Sequence, residues 1–327
     1  MNHHFETIIL NATGASTLTQ TEMIQSLWSG YGEILRYKLT DSRLQSVVVK
    51  HVRLPDKKKH PRGWNTDLSH ARKVKSYRVE MAWYQQWNQF CDESCLTADC
   101  LALETQDDEV LMVLEDLDQS GYPARKSMVS NDEINQCLSW LANFHATFLG
   151  KQPTNLWPLG TYWHLETRPD ELNALNDSVL KKAAHLIDQK LQDSPFQTFV
   201  HGDAKLANFC FSADGKKVAA VDFQYVGGGC GMKDVGYFLG SCLDENESQQ
   251  LIPQFLEFYF QSLKKSLISK QTLVDFEALE ANWRDLFPLA WTDFHRFLKG
   301  WSPGHWKIND YSERVARSVL ENLKNEI

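Results

Sequence analysis

Phe199-Val200-His201-Gly202-Asp203-Ala204-Lys205-Leu206-Ala207-Asn208-Phe209 is the stretch that decides the fold. A second piece completes it: Asp222, in Val221-Asp222-Phe223-Gln224, lies fourteen residues after Asn208. An apolar strand leads into Asp222 and a glycine-rich turn follows it. The spacing has a chemical logic. A phosphoryl donor carries several negative charges, and the hard cation that accompanies it takes oxygen ligands. Asp222, at a strand end, offers such a ligand from one side, and Asn208, further along the preceding loop, offers one from the other. Asp203 is then placed to orient an acceptor hydroxyl or take its proton. Lys205 reads equally as a cation for the transferring phosphoryl group or as a solvated side chain.

Working outward, residues 47–49 are three valines, and Lys50 ends that strand. A lysine there can reach the α- and β-phosphates of a nucleotide, provided a carboxylate holds its long stem. Glu80, on the following helix, is the candidate. Taken singly, each reads better as a surface charge; together with the loop around Asp203 they read as a phosphate clamp. Ser29-Gly30-Tyr31-Gly32-Glu33 precedes the first strand pair, and Gly30 and Gly32 allow close backbone approach to phosphates. The pattern is shorter than GxGxxG and is little more than a turn signal. Glu115-Asp116-Leu117 falls where a connection between two lobes belongs. Glu115 and Leu117 would there offer backbone groups to a nucleobase, which leaves ATP against GTP open.

His201-Gly202-Asp203-x4-Asn208 followed by Asp222-Phe223-Gln224 resembles the aminoglycoside phosphotransferase and choline kinase group of small-molecule kinases. Three further stretches resemble its ecdysteroid kinase-like branch: residues 111–117, 76–84 and 227–238. The resemblance covers about residues 25–300. It implies an α+β, protein-kinase-like two-lobed fold. A small β-rich N-lobe (1–116) would bind nucleotide phosphates, and a larger, mainly helical C-lobe (117–327) would carry the catalytic loop and acceptor site. It implies ATP and Mg²⁺ as cofactors, with Asn208 and Asp222 as metal ligands. It also implies that Asp234 bonds the catalytic-loop backbone rather than substrate. Protein kinases usually carry Arg at the place of Gly202 and Gly at the place of Gln224, and an Ala-Pro-Glu motif downstream of Asp222 is missing. A protein kinase is therefore the less favoured alternative. A catalytically silent nucleotide-binding module is another, opposed by the presence of every expected polar group.

The acceptor side is less legible. Residues 283–306 hold Trp283, Trp291, Trp301 and Trp306, with Asp293, His295 and His305. Tyr225 directly follows Gln224. For any single Trp, core packing is the better reading. As a group beside a turn, Tyr225, Trp301, His305 and Trp306 are candidate pocket residues that would line a site for an apolar or amphipathic alcohol or cage a quaternary ammonium. His145, on an otherwise apolar helix, reads as a satisfied core histidine. Asp244, Glu245 and Glu247 read as a helix start rather than a polycation site.

Residues 21–28 read as a short helix, 33–40 and 45–52 as a hairpin, 71–90 as a helix, and 99–104 and 110–114 as strands. Helices are expected over 131–149, 172–191, 248–267, 273–299 and 311–324, with Ser130 or Asn131 as an N-cap. The chain has 327 residues, 43% of them hydrophobic, and a net charge of −8. That is ample for a large core, and a net acidic chain is a poor nucleic-acid binder. The longest apolar runs fall far short of the roughly 20 residues of a spanning helix. No basic and apolar leader is visible at residues 1–6. The seven cysteines, with no CxxC pair, read as reduced thiols in a cytoplasmic protein. The charge is polarised: residues 50–78 carry ten Lys or Arg against two Asp, so the remainder is −16. That basic stretch includes Lys57, Lys58 and Lys59. It reads as a solvated loop, or more sharply as one that folds over an anionic ligand.

Overall fold

Strand pairing at the N-terminal end sets up everything that follows. In the computed structural model, which describes residues 3–27, 30–53 and 67–326, a first helix α1 (His3–Thr13) precedes three strands. These are β1 (Thr17–Ser26), β2 (Gly32–Thr40) and β3 (Ser46–Arg53). After helix α2 (Asp67–Ala82) come β4 (Cys100–Gln106) and β5 (Glu109–Glu115), and the five strands form one sheet in the order β1-β2-β3-β5-β4. Every neighbouring pair is antiparallel.

The period-2 alternation of a strand puts the side chains of β3 on two faces. Val47 and Val49 join Leu35, Leu111 and Val113 under Phe5 and Ile9 of α1. Val52 enters the main core, and Val48 and Lys50 face a large cavity. A buried lysine is thus delivered to the cavity by a strand whose neighbours are valines.

The helix expected over 21–28 is instead the second half of β1, paired with β2 from Thr17↔Thr40 to Ser26↔Glu33. Two register shifts, between Gln20 and Glu22 and between Met23 and Gln25, break the alternation and hide the strand from a periodicity reading. The hairpin turns at Asp41, whose φ is 56°. Helix α2 continues into a π-helical turn, Trp83–Trp87, and a 3₁₀ turn, Asn88–Phe90, so the expected helix over 71–90 is helical throughout but changes its winding.

The C-terminal part is helical. α3 (Asn131–Phe148) starts with a capping box between Ser130 and Glu133. The helix expected over 172–191 is two, α4 (Pro169–Ala174) and α5 (Ser178–Gln192). Asp177 caps the second by accepting from the Leu180 N–H at 3.1 Å. Short strands follow: β6 (Thr198–Val200), β7 (Phe209–Phe211), β8 (Val218–Ala220) and β9 (Gly227–Gly229). β6 pairs with β9, and β7 with β8. The catalytic-loop motif therefore runs between two small ladders. α6 (Met232–Cys242), α7 (Glu245–Ser269), α8 (Phe276–Trp301) and α9 (Asp310–Leu323) complete the chain. The acidic run is a helix start: Asp244 and Glu247 form the capping box of α7. The seven cysteines are free thiols. Among the described residues, no helix is long and apolar enough to cross a membrane.

Candidate active site

The loop after β6 is held rigid before any catalytic group is considered. Buried Asp234, in the first turn of α6, accepts the backbone N–H of His201 at 2.5 Å and of Gly202 at 3.0 Å. The His145 ring, 3.2 Å from Asp234 through Nε2 and 2.7 Å from the Tyr259 hydroxyl through Nδ1, completes the brace. His145 is therefore a fully partnered core histidine. His201 spans the loop to the next strand, with Nε2 3.0 Å from the Val221 carbonyl oxygen. Gly202 cannot be replaced there. Its φ is +79°, and a Cβ would lie 2.1 Å from the Tyr225 carbonyl oxygen. That close approach explains why no arginine stands at this place.

This frame presents Asp203, which is buried and linked on every side. Lys205 Nζ donates to its Oδ2 at 2.9 Å, and the Tyr237 hydroxyl donates to Oδ1 at 3.0 Å. Asn208 Nδ2 donates to the Asp203 carbonyl at 2.8 Å and to Oδ2 at 3.2 Å. Burial pushes the Asp203 pKa up and nearby Asp222 adds to this, against the pull of Lys205. A carboxylate held in one rotamer, with a raised pKa, suits a group that receives a proton.

On the opposite wall, Lys50 Nζ donates to both carboxylate oxygens of Glu80, at 2.8 and 2.7 Å, and reaches Asp222 Oδ1 at 3.4 Å. Lys50 and Glu80 are 3% and 1% exposed, so neither charge would be tolerated without the other. Burial opposes the Lys50 charge, but the Glu80 and Asp222 carboxylates outweigh it and hold the pKa above the ordinary value. At Asp222, burial would raise the pKa, but Lys50, Lys205 and Lys73 reverse its effect and keep the carboxylate ionised. Its φ of 70° is uncommon for a non-glycine residue and is the kind of strain that collects at functional sites.

Asn208 and Asp222 both line the cavity. The Asn208 amide nitrogen is committed to Asp203, and among the described residues Asn208 Oδ1 and Asp222 Oδ2 accept no hydrogen bond. Two side chains with unused oxygen acceptors fit a hard divalent cation that draws its remaining ligands from phosphates and water. No group of three or more His, Cys, Asp or Glu able to hold a metal occurs among the described residues.

The cavity holds about 1070 Å³ and runs from the sheet to the C-terminal helices. Glu115 and Leu117 line it, and between them Asp116 is buried and tied to Arg36 of β2 at 2.8 Å and to Ser46 at 2.5 Å. Gly30 and Gly32 are not among its lining residues. Gly32 is required for another reason: a Cβ there would lie 2.0 Å from the His51 carbonyl oxygen of β3. Ser29 and the lysines 57–59 lie outside the described residues.

At the far end the aromatic candidates separate into two sets. Trp301, His305, Trp306 and Tyr225 line the cavity. Trp283 and Trp291 are buried, donating their indole N–H to the Phe196 carbonyl and the Ser312 hydroxyl, while Asp293 and His295 are also buried. The sequence reading missed Tyr237, although it stands three residues after Asp234, on the same helical face. It also missed Tyr162 and Arg168, from elements too distant in sequence to form a pattern, and Lys73 and Lys307, although Lys73 stands seven residues before Glu80 on α2 and Lys307 directly follows Trp306.

A strand-borne lysine paired to a helix glutamate, facing a rigid loop that carries Asp203 and Asn208, defines a small-molecule kinase-like fold. The chain belongs to the ecdysteroid kinase-like family, whose model matches residues 40–152 and 159–271. A structure of the microcompartment-associated aminopropanol kinase shares the fold. It aligns at 14% identity over 97% of this chain and 96% of that one, with a TM-score of 0.53. An ethanolamine kinase from Plasmodium vivax (12% identity, 95% and 84% covered, TM-score 0.49) and a type VIII aminoglycoside-3'-phosphotransferase (13%, 88% and 100%, 0.45) are more loosely similar. No curated protein matches the chain.

Proposed function

We propose that this chain is an ATP-dependent phosphotransferase that places the γ-phosphate on a hydroxyl of a small organic molecule. The observation that carries the reading is the buried Asp203 carboxylate, held by Lys205, Tyr237 and Asn208 and facing Lys50 and Asp222 across one cavity. The division of labour follows from the elements. Residues 1–116 supply the phosphate clamp, Lys50 held by Glu80, with Glu115 and Leu117 at the connection. Residues 117–327 supply the catalytic loop and the acceptor end.

Asp203 orients the acceptor hydroxyl and takes its proton as the oxygen becomes a nucleophile. Lys205, bonded to the same carboxylate, brings a positive charge to the place where charge develops on the transferring group. Asn208 and Asp222 would hold Mg²⁺, which neutralises phosphate charge when bound. Tyr225, Trp301, His305 and Trp306 would contact the acceptor. The seven free thiols fit a reducing, cytoplasmic setting.

Thermal shift with Mg·ATP, followed by a screen of hydroxylated compounds for ATP-dependent phosphorylation, tests the proposal. A raised melting temperature and at least one phosphorylated alcohol are expected. No shift at millimolar Mg·ATP would overturn the reading, and a shift without phosphorylation of any compound would favour the silent nucleotide-binding module.

A further inference from the structure

The acceptor end of the cavity carries cations that the reaction does not use. Lys307 extends from the turn between α8 and α9 and lines the cavity. Its ammonium sits against three rings, 5.2 Å from Tyr237, 5.7 Å from Phe294 and 5.5 Å from Trp306. Among the described residues it has no carboxylate within ion-pair distance and no side-chain hydrogen bond. Among the described residues Arg72, projecting from α2, donates to the Thr167 carbonyl oxygen at 2.7 Å and the Ser69 hydroxyl at 3.2 Å and to no carboxylate. Burial and the nearby Arg168 guanidinium depress the pKa of Arg72, while Tyr225, Glu171 and Asp170 pull the other way without forming an ion pair with it among the described residues. Arg168 itself lies over the Tyr162 and Phe297 rings at 5.8 and 5.4 Å, and Glu171 at 3.1 Å is its ion-pair partner. Outside Asp203 and Asp222, which Lys205 and Lys50 engage, Glu171 is the one carboxylate lining this end among the described residues.

Partly buried cations without counterions are costly to keep, and burial pushes the Lys307 pKa down to about 8. Such an arrangement is stabilised by an anion that arrives with the ligand. The aromatic walls add a preference for a flat or apolar body. Resting on the phosphotransferase reading, we propose that the acceptor is an anionic amphipathic alcohol: an apolar ring system bearing a hydroxyl near Asp203 and a carboxylate, sulfate or phosphate that meets Lys307 and Arg72. A polycationic acceptor, which needs a carboxylate-rich wall, does not fit this end.

The test compares hydroxylated ring acids with their uncharged methyl esters, using cholate, 4-hydroxyphenylacetate and salicylate, with tyramine as the cationic control. Calorimetry on the wild-type protein is expected to give at least one acid binding about tenfold tighter than its ester, as charge-assisted hydrogen bonds require. Lys307→Met and Arg72→Met should each erode that preference while leaving Mg·ATP affinity within about twofold. Lys307→Glu should turn the preference towards tyramine, which keeps the test decisive if a methionine variant fails to fold. Equal binding of acid and ester, preference for tyramine, no binding by any probe, or an acid preference that survives the variants would overturn the proposal. Loss of Mg·ATP affinity in Lys307→Met would assign these charges to the nucleotide and overturn it as well. Acid-selective binding without phosphorylation of any bound alcohol would instead count against the phosphotransferase reading alone.

Discussion

The two ends of the cavity handle charge in opposite ways. Around Asp203, Lys50 and Asp222 every ionised group has a partner within 3.4 Å, and Lys50 and Glu80 satisfy each other completely. At the acceptor end, Lys307 rests on rings and Arg72 on a carbonyl and a hydroxyl. On the proposed function, the difference separates machinery from recognition. Groups that act on every turnover are preorganised by their neighbours, so no reorganisation is needed when substrate arrives. Groups that recognise a particular ligand keep their best interaction unmade until it binds.

Substitution distinguishes the two ends. Glu80→Leu leaves the buried Lys50 ammonium with Asp222 alone, at 3.4 Å. Unfolding in urea should show a loss of about 3–5 kcal/mol, the cost of stranding a buried charge. Retention of full stability would mean that the pair is not the structural unit described here.

Two tryptophans sharpen it. Trp283 is fully buried, whereas Trp306 is 60% exposed at the cavity rim. Trp283→Ala should cost about 3–5 kcal/mol by opening a void in the core. Trp306→Ala should change stability by no more than about 0.5 kcal/mol while raising the KM for an identified acceptor. Equal stability losses would place both in the core and remove Trp306 from the acceptor end.

The smallest effect concerns pH. Burial lowers the Lys307 pKa to about 8; Cys242 and Asp203 favour its charge and Lys205 opposes it, while Tyr237, Phe294 and Trp306 surround the stem. The ammonium is present below that pH and is lost above it. Preference for an anionic acceptor over its ester should therefore fall as pH rises from 7 to 9, as read by calorimetry, by no more than about tenfold. A preference that strengthens with pH would contradict the role given to Lys307.

The sequence exposed these two ends unequally, for a physical reason. Asp203, Asn208 and Asp222 lie close along one chain segment, because a rigid loop and the strand after it must carry them together. Lys50 followed from a β-branched run, and Glu80 from the helix after it. Arg72, Arg168 and Lys307 converge from three separate elements, α2, the turn before α4 and the turn after α8, so no spacing announces them. The second half of β1 reads as helix because its two register shifts erase the alternation by which a strand is recognised. Gly202 could be noted as a departure from protein kinases, but its necessity comes from the Tyr225 carbonyl, which only the fold brings near. Trp301 and Trp306 could not be told from Trp283 and Trp291 by composition, since burial is decided by where the end of α8 and the turn after it lie against the cavity.

In the proposed reaction Asp203 serves the acceptor hydroxyl and not the nucleotide. Asp203→Asn keeps the shape and most of the hydrogen bonds but removes the carboxylate's basicity. With an alcohol identified by the phosphorylation screen, its kcat should fall by about 10²–10⁴-fold, while calorimetry should give Mg·ATP affinity close to that of the wild type. Full turnover by the Asn variant would contradict the account.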